Sequence, residues 1–107
     1  MSEEQKEINV EATRRFDKTL KKLSAKDLTL VEDQIDLIIE NPEIGTRKKG
    51  DLSYLWVHKF KIKSQLMMIG YSWLNNELRL YLLNIGTHEN FYDDMKRSRK
   101  HDLNFID

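Results

Sequence analysis

The chain has 107 residues, no cysteine and a formal net charge of +0, although 34% of its residues are charged. This length predicts one domain, residues 1–107, with its own hydrophobic core, and the lack of cysteine excludes disulfide bonds and thiolate chemistry. No apolar stretch is long enough to cross a membrane and no signal-peptide pattern opens the chain, so we expect a cytoplasmic protein without a membrane partner.

The charged side chains are concentrated in blocks. Residues 46–63 hold six basic side chains and one acidic side chain, and residues 95–101 hold four basic side chains and no acidic one. In a neutral protein, two such blocks favour local contact with a polyanion. Ordinary solvated surface explains the blocks equally well, so both interpretations stay open.

Two helices are predicted in the first half of the chain, after a short strand over residues 8–10. Apolar side chains recur at helical spacing over residues 12–23 and again over residues 28–39. Ser24 has the position of an N-cap for the second helix, and Pro42 ends that helix because proline disfavours helical backbone in the preceding residue. Residues 1–7 are polar, and we expect them to be flexible or to bind a partner.

Three strands and a last helix are predicted in the second half, after a loop over residues 42–52. Alternation over residues 54–63 separates a face with Lys59, Lys61 and Lys63 from a face with Trp56, His58 and Phe60. Residues 65–73 and 78–85 form a hairpin around Asn75-Asn76, and a helix follows over residues 89–100. Residues 102–107 are expected to be flexible or to bind a partner.

These elements predict an α+β fold in the order β-α-α-β-β-β-α. In this arrangement a helical hairpin packs on a small antiparallel sheet, because the apolar stripes of two helices need a third surface to cover them. For the last strand, alternation predicts Tyr81, Leu83 and Ile85 on one face and Leu80, Leu82 and Asn84 on the other.

The end of the last strand carries the best candidate for a reactive site. Gly86 permits a sharp turn, Thr87 is a suitable N-cap, and His88 opens the helix one turn before Tyr92. An imidazole that titrates near neutrality and a phenol on the same helix face suit acid–base chemistry. A histidine at a helix start is, however, more often an ordinary surface residue.

The same turn resembles the RelE/ParE superfamily of bacterial toxins. The resemblance rests on Gly86-Thr87-His88 followed by Tyr92, and it extends to Asn41-Pro42, Lys49-Gly50 and the alternation Lys59-Phe60-Lys61. It spans about residues 8–100, and the predicted element order is the one that the superfamily uses. The resemblance implies a toxin of a type II toxin–antitoxin system. Many such toxins cleave messenger RNA in the ribosomal A site, whereas the ParE branch inhibits DNA gyrase.

Carried over to this chain, the resemblance implies that His88 is a general acid or base. Lys59 and Lys61 then stabilise the phosphate, and Tyr92 positions the base or the leaving group. Contacts with RNA or the ribosome are expected at six further basic residues, namely Arg47, Lys48, Lys49, Lys63, Lys96 and Arg97. The expected partners are a cognate antitoxin and ribosome-bound messenger RNA, and neither a metal nor another cofactor is expected.

The chain departs from RelE-type nucleases in the strand that begins at Gln65. Many of those nucleases have an arginine early in this strand, where this chain has Gln65-Leu66-Met67-Met68. His58 could take the place of that arginine only if its side chain lay on the same face as the lysines. Its aromatic neighbours predict instead that it lies on the core side. The leading hypothesis is a RelE-like endoribonuclease. The alternatives are a ParE-like, non-catalytic gyrase inhibitor and an inactive remnant that only binds its antitoxin.

Overall fold

A computed structural model describes residues 7–107, so the expectation for residues 1–6 lies outside the described part of the chain. The helices and strands are β1 (Asn9–Ala12), α1 (Arg14–Lys21), α2 (Ala25–Glu40), β2 (Thr46–Arg47), β3 (Trp56–Ile62), β4 (Gln65–Leu74), β5 (Arg79–Thr87) and α3 (His88–Ile106). The predicted α+β fold and element order are confirmed. The loop after α2 contains an additional strand, β2, and a 3-10 turn over Gly50–Leu52.

The five strands form one sheet in the order β1-β5-β4-β3-β2. Strands β2 to β5 pair antiparallel, as predicted for β3, β4 and β5, whereas β1 runs parallel to β5 at the other edge. Strand β2 is short and pairs only with Trp56 and Val57 of β3. The chain returns to pair with β1 only after both helices and three further strands, so no hairpin constrains β1 to run antiparallel.

Both helices of the hairpin begin at a capping residue, of which Ser24 was predicted. Thr13 accepts a hydrogen bond from the Phe16 amide, and Ser24 accepts one from the Asp27 amide, both at 3.1 Å. Helix α2 ends at Glu40, directly before Asn41-Pro42. Both helices pack on the sheet face that carries Trp56 and Phe60, around a core of Phe16, Val31, Ile38, Ile69, Tyr71, Leu80 and Leu82.

An extra residue in β5 changes which side chains face the helical hairpin. Tyr71 of β4 pairs with Leu82 and Gly70 pairs with Asn84, so Leu83 has no partner in the ladder and forms a β-bulge. Beyond the bulge, Ile85 joins the core under the hairpin, and Asn84 accepts a hydrogen bond from Arg15 beside α3. The predicted faces of Ile85 and Asn84 were therefore wrong, because uninterrupted alternation does not hold through a bulge.

The turn between β4 and β5 also differs from the prediction. Asn75–Glu77 forms a single 3-10 turn, and the left-handed backbone lies at Leu78, with φ of 52°, not at the two asparagines. The tighter turn, between β3 and β4, has positive φ at both Lys63 and Ser64. That combination suits a two-residue hairpin whose twist matches the flanking strands.

Helix α3 covers the opposite face of the sheet and is longer than predicted. It begins at His88 and continues through residues 102–106, which were expected to be flexible or to bind a partner. Phe91 and Met95 are fully buried against β4 and β5, and Phe105 packs edge-on against Tyr81 with ring centroids 5.6 Å apart. No helix among residues 7–107 has the length and apolar character needed to span a membrane.

Gly70 allows α3 to pack closely on the sheet. A Cβ atom at this position would lie 2.6 Å from the tip of the Phe91 ring and 3.0 Å from a methyl group of Leu55. Both side chains are fully buried and have little room to move. We expect Gly70→Ala to lower the free energy of unfolding by about 1–3 kcal/mol, the usual cost of overpacking.

Gly86 provides the matched control for this prediction, because a Cβ atom there meets nothing within 4 Å. Thermal unfolding followed by circular dichroism should show a lower Tm for Gly70→Ala, by roughly 4–8 °C per kcal/mol in small domains. Gly86→Ala should unfold close to the wild-type temperature. Equal Tm values for the two variants would contradict the close packing of Phe91 on Gly70.

Candidate active site

His88 stands where β5 ends and α3 begins, as predicted. Thr87 occupies the N-cap position in extended backbone but its side chain makes no capping hydrogen bond, so the first-turn amides of this 19-residue helix remain open to an anion. The His88 side chain is exposed. It borders a depression of about 250 Å3 whose lining is Gln65, Leu66, Thr87, His88 and Glu89.

Two lysines of β3 lie across the sheet from His88, on the face that α3 covers. Lys59 pairs with Met68, and Met68 pairs with Gly86, so these residues form one row across three strands. Strands are about 4.8 Å apart, which puts the Lys59 and Gly86 backbones roughly 10 Å from each other. Lys61 pairs with Leu66, which borders the His88 depression. Gly86 adds no side chain beside His88, and a Cβ atom there would meet nothing within 4 Å, while Met68 and Leu66 of β4 lie between Gly86 and the lysines.

Tyr92 lies one helical turn beyond His88 and is half-buried. Its ring contacts the edge of Phe91, with centroids 5.3 Å apart, and the Lys48 ammonium stands 5.2 Å above its centroid. A cation over an aromatic face is attracted by the ring quadrupole, so Lys48 is held at α3 rather than extended into solvent. Lys96, one further turn along the same side of the helix, is exposed.

The remaining predicted contact residues are dispersed. Arg47 donates from Nε to the Ser53 carbonyl at 3.0 Å, and Lys49 is an exposed residue before the 3-10 turn. Lys63 lies in the β3–β4 turn. Arg97 points to the other side of α3, where it pairs with Asp94. The structure therefore places Lys48, but not Arg97, beside Tyr92.

A match to a protein-family model identifies the family of this chain. The family model described as the ParE-like toxin of type II bacterial toxin–antitoxin systems matches residues 10–96. The chain belongs to this family. The matched region runs from β1 to the middle of α3 and contains His88, Tyr92 and both β3 lysines. No curated protein matches the toxin in sequence.

Solved structures of Escherichia coli RelE share the toxin's fold. The RelE toxin in the intact RelBE toxin–antitoxin complex has a TM-score of 0.61 at 16% identity, covering 76% of this chain and 96% of that chain. The isolated RelE toxin has a TM-score of 0.60 at 17% identity, covering 85% and 98%. The similarity confirms the predicted RelE/ParE-like fold, and at this identity it concerns the fold alone.

His58 lies on the face of β3 opposite the lysines. Its Nε2 is 2.7 Å from the side-chain oxygen of Gln34 on α2, and its ring stacks against Phe60. The core-side position predicted for this histidine is therefore confirmed, and His58 does not supply the cation missing from the start of β4. Within residues 7–107, moreover, no three His, Asp or Glu side chains come together in a group that could hold a metal ion.

Burial of His58 makes the stability of the toxin sensitive to acid. Desolvation lowers the pKa of His58 from its ordinary value of 6.5, so the folded state binds the proton less readily than the unfolded chain does. Its contribution to stability is fully present above about pH 6.5 and is lost as the pH falls through the lowered value. We expect the drop in Tm between pH 7.5 and pH 5.5 to be smaller in His58→Gln than in wild type. The exposed His101→Gln serves as the control and should retain the wild-type drop.

A buried polar cluster that joins α1, β5 and α3 was not predicted from the sequence. Arg15 of α1 forms two hydrogen bonds with the fully buried carboxylate of Asp102 on α3, at 2.9 and 3.0 Å, and a third with Asn84 at 3.4 Å. Two local signals indicated that members of the cluster are buried, although not that they contact Arg15. Asn84 interrupts an apolar strand, and Asp102 follows the buried Met95 by seven residues, which places both on one helix face.

Proposed function

We propose that this toxin is a RelE-like endoribonuclease that cleaves messenger RNA and so inhibits translation. The observation that carries the proposal is the arrangement across Gly86. His88 stands at the strand end, Lys59 and Lys61 lie on the same sheet face two strands away, and Gly86 leaves the space beside His88 free of a side chain. A phosphate bound over this face lies between a group that transfers protons and two cations.

Such an arrangement suits cleavage of RNA by its own 2′-hydroxyl. The 2′-oxygen loses its proton and attacks the adjacent phosphorus, and the bond from phosphorus to the 5′-oxygen breaks as that oxygen gains a proton. The products are a 2′,3′-cyclic phosphate and a 5′-hydroxyl. His88 serves as the acid or the base in this reaction, and Lys59 and Lys61 stabilise the negative charge that develops on the phosphate.

Tyr92 and Lys48 supply a place for the neighbouring nucleotide. Single-stranded RNA is commonly held by stacking of unpaired bases on aromatic rings together with contacts from cations to the backbone. The Lys48 ammonium now covers one face of the Tyr92 ring. A base that stacks on this face displaces Lys48, which then meets the adjacent phosphate. Arg47, Lys49, Lys63 and Lys96 extend the contact with messenger RNA or ribosomal RNA.

Membership of a toxin–antitoxin family supports a second protein as partner. E. coli RelE has been solved in the intact RelBE toxin–antitoxin complex and with a peptide of the antitoxin RelB. We infer that a cognate antitoxin binds this toxin in the same way and covers the lysine face of the sheet. A messenger RNA substrate on the ribosome places the toxin in the cytoplasm.

One observation favours a different function. The β4 residues that border the His88 depression are Gln65 and Leu66, and neither carries the positive charge that would help a nuclease to hold a phosphate. A ParE-like toxin that binds DNA gyrase without catalysis requires no phosphate contact there, and the matching family model is ParE-like. Gyrase inhibition is therefore the second candidate, and a remnant that only binds its antitoxin is the third.

Induction in bacterial cells separates these candidates. After a short pulse of the toxin, the 5′ ends of a defined messenger RNA are mapped by primer extension, and the SOS response is followed with a reporter. Discrete new ends within the coding region, with no SOS induction, are expected. Growth arrest with SOS induction and no new ends would contradict the nuclease and support gyrase inhibition. Normal growth without new 5′ ends and without SOS induction would support the inactive remnant that only binds its antitoxin.

A further inference from the structure

A second basic cavity lies between α1 and α3, and it shares no lining residue with the His88 depression. Its volume is about 370 Å3, within the range of about 300–1,000 Å3 that small-molecule sites occupy. A smaller cavity of about 230 Å3 adjoins it and shares Arg15, Lys18 and Ser98. We call the two together the α1–α3 cleft, whose principal lining residues are Arg15, Lys18, Lys22, Asn84, Asp94 and Arg97.

The cleft contains positive charge that the described protein does not balance. Arg15 is paired with Asp102, and Arg97 is paired with Asp94. Lys18 and Lys22 form no ion pair with any residue from 7 to 107, although Lys22, the C-cap residue of α1, stands one helical turn beyond Lys18. Like charges at this spacing repel each other. A bound anion would relieve this repulsion.

Asn84 adds a buried donor without an acceptor. Only 4% of this residue is exposed, and its side-chain oxygen accepts from Nε of Arg15. Its Nδ2 has no hydrogen-bond partner among residues 7–107. Buried amide groups almost always find a partner, because an unsatisfied donor keeps the full cost of losing its water. Asn84 follows the bulge at Leu83 and lines the cleft, so a bound oxygen that reaches below the surface there can accept from Nδ2.

We propose that the α1–α3 cleft is a phosphate-binding site, in which Nδ2 of Asn84 donates to a phosphoryl oxygen and Lys18 and Lys22 neutralise its charge. Asp94 also borders the cleft, but its carboxylate is paired with Arg97, which offsets its repulsion of a bound anion. A phosphate carries several acceptor oxygens and up to two negative charges, which matches one amide donor and two free ammonium groups.

A polynucleotide backbone is the source of phosphate that the shape favours. The two adjoining cavities extend the cleft along α1, and Arg14 continues its basic lining. Successive phosphates of one strand fit such a row better than a single ion does. This choice of source rests on the proposed RNA substrate, whereas the phosphate site itself does not. A free phosphate compound is the other source.

The test measures binding by the full-length toxin, without cleavage. Single-stranded RNA with 2′-O-methyl groups cannot be cut, and it is titrated alongside inorganic phosphate and acetate. We expect the side-chain amide signal of Asn84 to shift in NMR spectra with the RNA and with phosphate. Lys18→Gln with Lys22→Gln should weaken RNA binding about tenfold. It should also make the plot of log K against log salt shallower by about 1.4, since each phosphate contact on a single strand contributes about 0.7.

The matched control is Lys21→Gln with Lys26→Gln, which removes the same charge from exposed positions outside the cleft. It should change RNA affinity by less than about twofold. Shifts with inorganic phosphate alone would support the site and assign it to a free phosphate compound. Three results would overturn the proposal: no shift of Asn84 with either phosphate ligand, an equal shift with acetate, or equal loss of affinity in both double variants. Because none of these readouts needs catalysis, a toxin that cleaves no RNA would refute the proposed function without deciding on the site.

Discussion

His88→Ala is expected to lower the rate of RNA cleavage by about 100- to 10,000-fold, the usual contribution of one positioned general acid or base. The imidazole is exposed at the start of α3 and packs against nothing in the core, so its removal should leave the Tm unchanged. Purified wild-type and variant toxin would be compared on a ribosome-bound messenger RNA under single-turnover conditions. His88→Gln should lose as much activity, because an amide donates hydrogen bonds but does not exchange protons near neutral pH.

Asn90→Ala is the control, since Asn90 is exposed in the same helical turn but lies on another side of α3. It should cleave at close to the wild-type rate. A His88→Ala toxin that retains more than about a tenth of wild-type activity would move proton transfer to another group. In that case Lys59 and Tyr92 would be the next residues to test.

Arg15→Met is expected to cost about 3–5 kcal/mol of unfolding free energy, the penalty for a buried charge that loses its partner. The carboxylate of Asp102 is fully buried and depends on Arg15, whereas 29% of the Arg15 side chain reaches solvent. Asp102→Asn should therefore cost less, about 1–3 kcal/mol, because water can solvate the guanidinium that remains. Chemical denaturation at neutral pH measures both values.

The double variant Arg15→Met with Asp102→Leu tests the cause of this loss. Replacing both partners with apolar side chains removes the unpaired charge, so this variant should be more stable than Arg15→Met alone. Arg14→Met, at an exposed neighbouring position, should change stability by no more than about 0.5 kcal/mol. Equal losses of stability in Arg15→Met and Asp102→Asn would contradict this explanation, in which the difference in burial between the two side chains determines the cost.

Much of the fold could be predicted because its signals are local. Ser24 and Pro42 fix the ends of α2 through capping and backbone restriction, and alternation in β3 separates lysines from aromatic residues. The bulge at Leu83 could not be predicted in this way. Residues 80–85 are buried on both faces, so no exposed polar position reveals where the alternation changes.

The residues of the candidate site likewise differ in whether local sequence patterns could predict them. His88 and Tyr92 were found because a turn and a helical repeat place them together within five residues. The cluster of Arg15, Asn84 and Asp102 depends on contacts between residues 69 to 87 positions apart, and no local pattern encodes such contacts. Asp102, in the part of α3 beyond its predicted end, meets Arg15 through such a distant contact.

The short strand β2 leaves most of β3 at an open sheet edge. Its two residues cover Trp56 and Val57, and among residues 7–107 no strand covers the outer side of residues 58–62. Open edges of this kind invite a second copy of the chain to add its own strand, and protruding lysines oppose that self-association. We expect Lys59 and Lys61, on this edge strand, to protect the toxin against such pairing. Replacing them for a catalytic assay removes this protection, and a loss of activity in such variants is meaningful only if light scattering shows that they remain monodisperse.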